Sequence, residues 1–133
     1  MSDLTNKTII ITGSTQGVGE ACAIDAAKNG AAAIVITGRN QERGNAVCSE
    51  IKSLGCESIF VAAELDNVDQ CRQIVAACDE RFGRVDGLIN AAADTNRGTI
   101  EETTVEFWDY QMNVNVRAPF VLTQECVRIM QRE

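Results

Sequence analysis

There is no histidine anywhere in this 133-residue sequence. That absence rules out Ser-His-Asp and Cys-His nucleophile chemistry, and a histidine-ligated zinc, built from groups within the chain. Basic side chains are also scarce. They number 12 against 19 acidic ones, for a net charge of −7, so no basic face is expected for a nucleic acid or an anionic membrane. No apolar run approaches the roughly 18 residues of a spanning helix, and the opening Met-Ser-Asp-Leu-Thr-Asn-Lys lacks the apolar core of a signal peptide. A cytoplasmic location is the expectation. Proline occurs once, at Pro119, and tyrosine once, at Tyr110. Cys22, Cys48, Cys56, Cys71, Cys78 and Cys126 form no C-x-x-C pair. They read as small buried hydrophobes kept reduced, with no metal role.

What is present is an alternation. With 45% apolar residues the chain can bury one domain core. Extended apolar runs at 8–12, 32–37, 58–63 and 85–91 are followed by helical patterns at 18–29, 41–54, 68–82 and from 104 onward. Cys71, Ile74, Val75, Cys78 and Phe82, for example, recur at helical spacing. Repeated β-α units predict an α/β fold with a parallel sheet covered by helices. Gly30, Gly55 and Gly83 each follow a helix where a left-handed cap is expected. The last helix opens with a capping box from Thr103 to Glu106 and runs to Arg132 without a glycine or proline stop. The expectation is therefore one nucleotide-binding domain over 1–133, cut after its fourth β-α unit.

Between the first strand and first helix stands Thr12-Gly13-Ser14-Thr15-Gln16-Gly17-Val18-Gly19. Glycine lets an anionic ligand approach bare peptide N–H groups, and the helix N-terminus behind it favours negative charge. A dinucleotide pyrophosphate is the expected occupant, and a ligand-free tight turn the alternative, because the T-G-x-x-x-G-x-G spacing differs from G-x-G-x-x-G. On this reading Gly19→Val should abolish binding and leave the fold intact. The second strand ends in Gly38 and Arg39, where an NAD enzyme would carry an acid for the ribose hydroxyls. A guanidinium there can pair with a 2′-phosphate, favouring NADP over NAD, with Ser14 as a second contact. The alternative for Arg39 is a solvated loop charge. Further on, Pro119 has no N–H to offer the carbonyl of Asn115, which is left free to hold a water, the alternative being a kinked helix with an exposed Asn.

Together with Leu88-Ile-Asn-Ala-Ala-Ala93 and Asn113-Val-Asn-Val-Arg-Ala-Pro-Phe120, these features resemble the N-terminal half of the short-chain dehydrogenase/reductase family across essentially the whole sequence. The resemblance implies a Rossmann-like, doubly wound parallel sheet in the order 3-2-1-4. It implies that Thr12, Gly13, Ser14, Gln16, Gly17, Val18 and Gly19 bind NADP or, less favoured, NAD. Asn90, Ala91 and Ala92 would close the fourth strand beside the cofactor, and Glu64 with Leu65 would lie beside the adenine. Ala91 and Ala93 stand where the family has its second Asn and its Gly. Asn115 matches the catalytic Asn that holds a water of the proton relay. The family's Ser and Y-x-x-x-K pair has no counterpart, since Tyr110 is followed four residues on by Val114. The implied activity is hydride transfer to or from a small-molecule carbonyl or alcohol, in a homodimer or homotetramer packed through helix 104–132. The loop 94–103 would border the substrate cleft. The rival reading is a catalytically silent nucleotide-binding or interaction module.

Overall fold

The computed structural model describes residues 3–132. Four strands, β1 (Thr8–Thr12), β2 (Ala33–Gly38), β3 (Glu57–Ala62) and β4 (Gly87–Asn90), form one parallel sheet in the order β3-β2-β1-β4. Three helices cross between them: α1 (Gly17–Lys28), α2 (Gln41–Ser53) and α3 (Val68–Phe82). After β4 come α4 (Val105–Met112), a π-helical turn (Asn113–Arg117) and α5 (Ala118–Met130). This is the Rossmann-like architecture expected of the sequence. The fourth strand is shorter than its apolar run, because Val85 and Asp86 lie before the ladder begins.

The apolar strands read as continuous runs because both sheet faces are covered. Ile9, Ile11, Ile34 and Ile36 pack against Ala23 and Ala26 of α1 and Val47 and Ile51 of α2. Ile10 and Val35 point the other way, onto Cys71, Ile74 and Cys78 of α3 and Leu122 of α5. The alternation of side chains along a strand produces both layers from a single Ile-Ile-Ile run. At the base of the sheet, Asp86 accepts from the Thr8 N–H at 2.8 Å and from two guanidinium nitrogens of Arg84 at 2.8 and 2.7 Å. The Arg84 bonds hold the Asp86 carboxyl below the usual carboxylate range.

All six cysteines are free, and all but Cys22 are buried. Burial pushes the thiols of Cys56 and Cys126 up to about 11 and that of Cys78 to about 12, so these three are neutral packing groups at physiological pH.

The glycine caps follow the sequence reading, with φ of +91° at Gly30, +87° at Gly55 and +72° at Gly83. Two expectations for the last helix need correction. Thr104, not Thr103, caps α4, accepting the Phe107 N–H at 3.0 Å, so Glu106 sits one position too early to complete a capping box. The helix also runs without a break from Val105 to Met130 but is not α-wound throughout. At Asn113–Arg117 it widens, and the Ala118 N–H bonds back five residues to the Asn113 carbonyl. The widening immediately precedes Pro119, whose ring would crowd the Asn115 carbonyl in an unbroken α-helix. α4 buries none of its residues fully, whereas α5 buries Ala118, Val121, Leu122 and Cys126.

Candidate functional site

Parallel strands deliver all their C-terminal ends to one edge, and the cavity of about 430 Å³ lies there. The glycine turn forms one wall. Gly13 and Gly17 take the left-handed conformation, with φ of +59° and +62°, which a side chain would strain. A Cβ on Gly13 would come 2.8 Å from Ala92 Cα, so this glycine lets the segment after β4 close against the turn. Gly19 has a different task. A Cβ there would overlap the Gly13 carbonyl, 2.7 Å from its carbon and 3.0 Å from Ser14 Cα. It is a packing glycine that seats α1 on the end of β1. A Cβ on Gly17 would meet nothing within 4 Å.

The first turn of α1 is the open one. Asn40, Asn67 and Thr104 each cap their helix by accepting a backbone N–H, but Gln16 gives α1 no side-chain cap. The first amide bonded back into the helix is that of Glu20, to the Gln16 carbonyl at 3.3 Å. Among the described residues the N–H groups of Gly17, Val18 and Gly19 have no acceptor. Free amides at a positive helix end, lining a cavity with room beside them, fit a pyrophosphate.

Of the sequence-derived candidates, Gly13, Gln16, Gly17, Val18 and Gly19 line the cavity, as do Arg39, Glu64, Leu65, Ala91 and Ala92. Four others lie elsewhere. Ser14 is fully buried, its Oγ donating to the Ile11 carbonyl at 2.7 Å and accepting the Thr37 N–H at 3.0 Å, which corrects the expectation of a second phosphate contact. Thr12 is buried too, and its Oγ1 accepts the Ala92 N–H at 3.1 Å. Both hydroxyls brace the turn from behind. Asn90, at the end of β4, is exposed and outside the cavity lining. Asn115 is also outside it. Its Oδ1 accepts the Asp94 N–H and its Nδ2 donates to the Asp94 carbonyl, both at 2.9 Å, so the amide clamps the backbone of the loop after β4.

Thr15, Thr37, Gly38, Ala63, Ala93, Tyr110 and Val114 also line it and were not assigned to the site from sequence, although Tyr110 and Val114 stand one helical turn apart. Asp94 and Thr95, from the loop after β4, also line it. The Gln111 amide, 2.8 Å from Asp94 Oδ1, holds that carboxyl below its usual range, with the Asn96 N–H adding to the effect and Arg39 contributing at longer reach. Arg39 is exposed and makes no hydrogen bond or ion pair among the described residues.

A parallel α/β sheet with a glycine turn and an open helix end at its C-terminal edge defines a nucleotide-binding class of protein. The family model for short chain dehydrogenases matches residues 7–133, and the chain belongs to that family of oxidoreductases. A 3beta-hydroxysteroid dehydrogenase of Mediterraneibacter gnavus is 33% identical over 132 residues, which are 98% of this chain and 48% of that protein. A short chain dehydrogenase from Burkholderia cenocepacia J2315, solved in complex with NADP, matches with a TM-score of 0.91 at 34% identity, over 96% of this chain and 52% of its own. L-Sorbose reductase from Gluconobacter frateurii, complexed with NADPH and L-sorbose, matches with a TM-score of 0.93 at 28% identity, over 98% and 49%. The chain thus spans about half the length of the curated relatives it matches. No helix among the described residues is long and apolar enough to cross a membrane.

Proposed function

We propose that these residues form the coenzyme-binding half of a cytoplasmic NADP-dependent oxidoreductase acting on a small-molecule carbonyl or alcohol. The observation that carries this reading is the uncapped first turn of α1, opening onto a cavity whose β2 rim bears Arg39 in place of an acid. When bound, the coenzyme supplies or accepts the hydride. The amides of Gly17, Val18 and Gly19 bind its pyrophosphate, and Leu65, Ala91 and Val114 flank the adenine beside Glu64. Thr12 and Ser14 hold the turn in shape. Asn115 offers its main-chain carbonyl to a relay water while its side chain positions the loop at Asp94. Calorimetric titration should find NADPH bound more tightly than NADH. Equal affinities would overturn the choice of NADP.

A catalytically silent binding module remains the second reading, favoured by one observation: the sole tyrosine, Tyr110, has Val114 and not a lysine four residues on. The 133-residue chain should therefore oxidise no NADPH with a panel of ketones. Turnover restored by a polypeptide carrying the family's Ser, Tyr and Lys supports the oxidoreductase. Coenzyme binding without rescue supports the silent module.

The same reading assigns homo-oligomer contacts to 104–132. Trp108 (58% exposed), Val116 (54%) and Phe120 (64%) leave an apolar stripe along α4, the π turn and α5. Light scattering should show self-association that Phe120→Asp reduces. A monodisperse monomer at high concentration would defeat this assignment.

A further inference from the structure

Beside the cavity, bonded to one of its lining side chains, stands a second guanidinium that the reading above leaves unused. Arg43 lies in the first turn of α2, four residues after Arg39, and the Asn40 cap fixes its backbone N–H at 2.9 Å. Its Nη1 donates to Oε1 of Gln16, a glycine-turn side chain that lines the cavity. Arg39 and Arg43 therefore approach the opening from the β2–α2 side, and Gln16 meets them from the β1–α1 side. Among the described residues neither arginine has a carboxylate within ion-pair distance, whereas Arg72, Arg81, Arg84, Arg128 and Arg132 all do. Asp94, which feels Arg39, is itself committed to Gln111 and the Asn96 N–H. Two guanidiniums without a carboxylate partner therefore stand close together at the start of α2, while Glu64 and Asp94 line other parts of the same cavity. The amide of Gln16 holds Arg43 without consuming its charge.

From this geometry we infer that Arg43 is a specificity-determining residue, closing with Arg39 as a two-guanidinium clamp on the 2′-phosphate of NADP. Gln16 parks Arg43 until the phosphate arrives. The inference rests on the NADP reading above and deepens it. A phosphate dianion offers three oxygens, and one planar guanidinium engages two of them, leaving the third for a second donor. The exchange is cheap, because Gln16 and Arg43 are both exposed and the displaced amide returns to water.

The test uses adenosine 2′,5′-bisphosphate and 5′-AMP as calorimetric probes of the chain at fixed ionic strength, with thermal melts to confirm folding. Arg43→Gln should weaken bisphosphate binding about tenfold, with little change for 5′-AMP. Gln16→Glu, which ties Arg43 to a carboxylate and adds a negative charge at the mouth, should weaken it further. Arg81→Gln removes the same charge at the opposite edge of the sheet, where Arg81 pairs with Glu57 at the start of β3, and should leave both probes unaffected. If Arg43→Gln binds bisphosphate like the parent while Arg39→Gln does not, the assignment of Arg43 falls and the coenzyme reading stands. If Arg43→Gln loses both probes equally, Arg43 supports the turn and does not read the phosphate, and the inference fails. A parent chain that binds bisphosphate no better than 5′-AMP overturns the inference and the choice of NADP together.

Discussion

Gly19→Val is expected to destabilise the whole fold, not merely to empty the nucleotide site. The position lies inside α1, where the new Cβ would overlap the Gly13 carbonyl and crowd Ser14 Cα. Both are backbone, braced by the buried Ser14 hydroxyl and its two bonds, so neither can yield cheaply. α1 would have to lift from the end of β1, exposing the Ala23 and Ala26 layer. Overpacking of this kind costs about 3 kcal/mol, a large share of the roughly 5–15 kcal/mol that holds a domain together. Gly17→Ala makes the contrast. Its Cβ meets open space, so it costs only about 1–2 kcal/mol for the left-handed backbone, yet it stands on the cavity wall. Urea denaturation followed by circular dichroism, paired with NADPH titration, separates the two. A Gly19→Val protein with parental stability and no binding would restore the simpler view of Gly19 as a ligand-facing glycine.

Arg39→Asp should invert coenzyme preference. Losing a charge-assisted bond to phosphate costs about 1.5–3 kcal/mol, or roughly 10- to 100-fold in NADPH affinity. The introduced carboxylate adds repulsion toward the 2′-phosphate, and it can accept hydrogen bonds from the free ribose hydroxyls of NADH. The ratio of the two dissociation constants should therefore swing by about two orders of magnitude or more. Because Arg39 is exposed and unpaired among the described residues, the substitution breaks no contact seen there, and the melting temperature should barely move. Unchanged affinity for both coenzymes would make Arg39 a solvated charge.

The strands and crossing helices were legible because each is dictated by local chemistry. An Ile-Ile-Ile run between turn residues can be satisfied only where two layers cover it, and Gly30, Gly55 and Gly83 mark helix ends through a backbone state few other residues tolerate. The glycine turn was legible for the same reason. Individual roles within it were not. Whether Ser14 faces a phosphate or the Thr37 N–H depends on β2, distant in sequence, and the packing task of Gly19 depends on how closely α1 meets Gly13. Arg43 left one trace, its four-residue spacing from Arg39, but its aim toward Gln16 follows from the Asn40 cap and the placement of α2. Likewise Pro119 announced a disturbance in the last helix, and the three-dimensional answer was a wider turn just before it.

That wider turn makes chain length itself a determinant of the site. An α-helix advances about 100° per residue and a π turn less, so rewinding Asn113–Arg117 as α-helix at constant length would rotate α4 against α5 by nearly that angle, whereas losing one residue in the same step would keep them in phase. α5 is anchored by Leu122 and Cys126 in the core, so α4 would be the partner that turns. Tyr110 would swing off the cavity wall, and Gln111 would leave the Asp94 carboxylate. The extra residue of the wide turn is thus what keeps one side of the cavity in place, although it changes neither the charge nor the core of either helix.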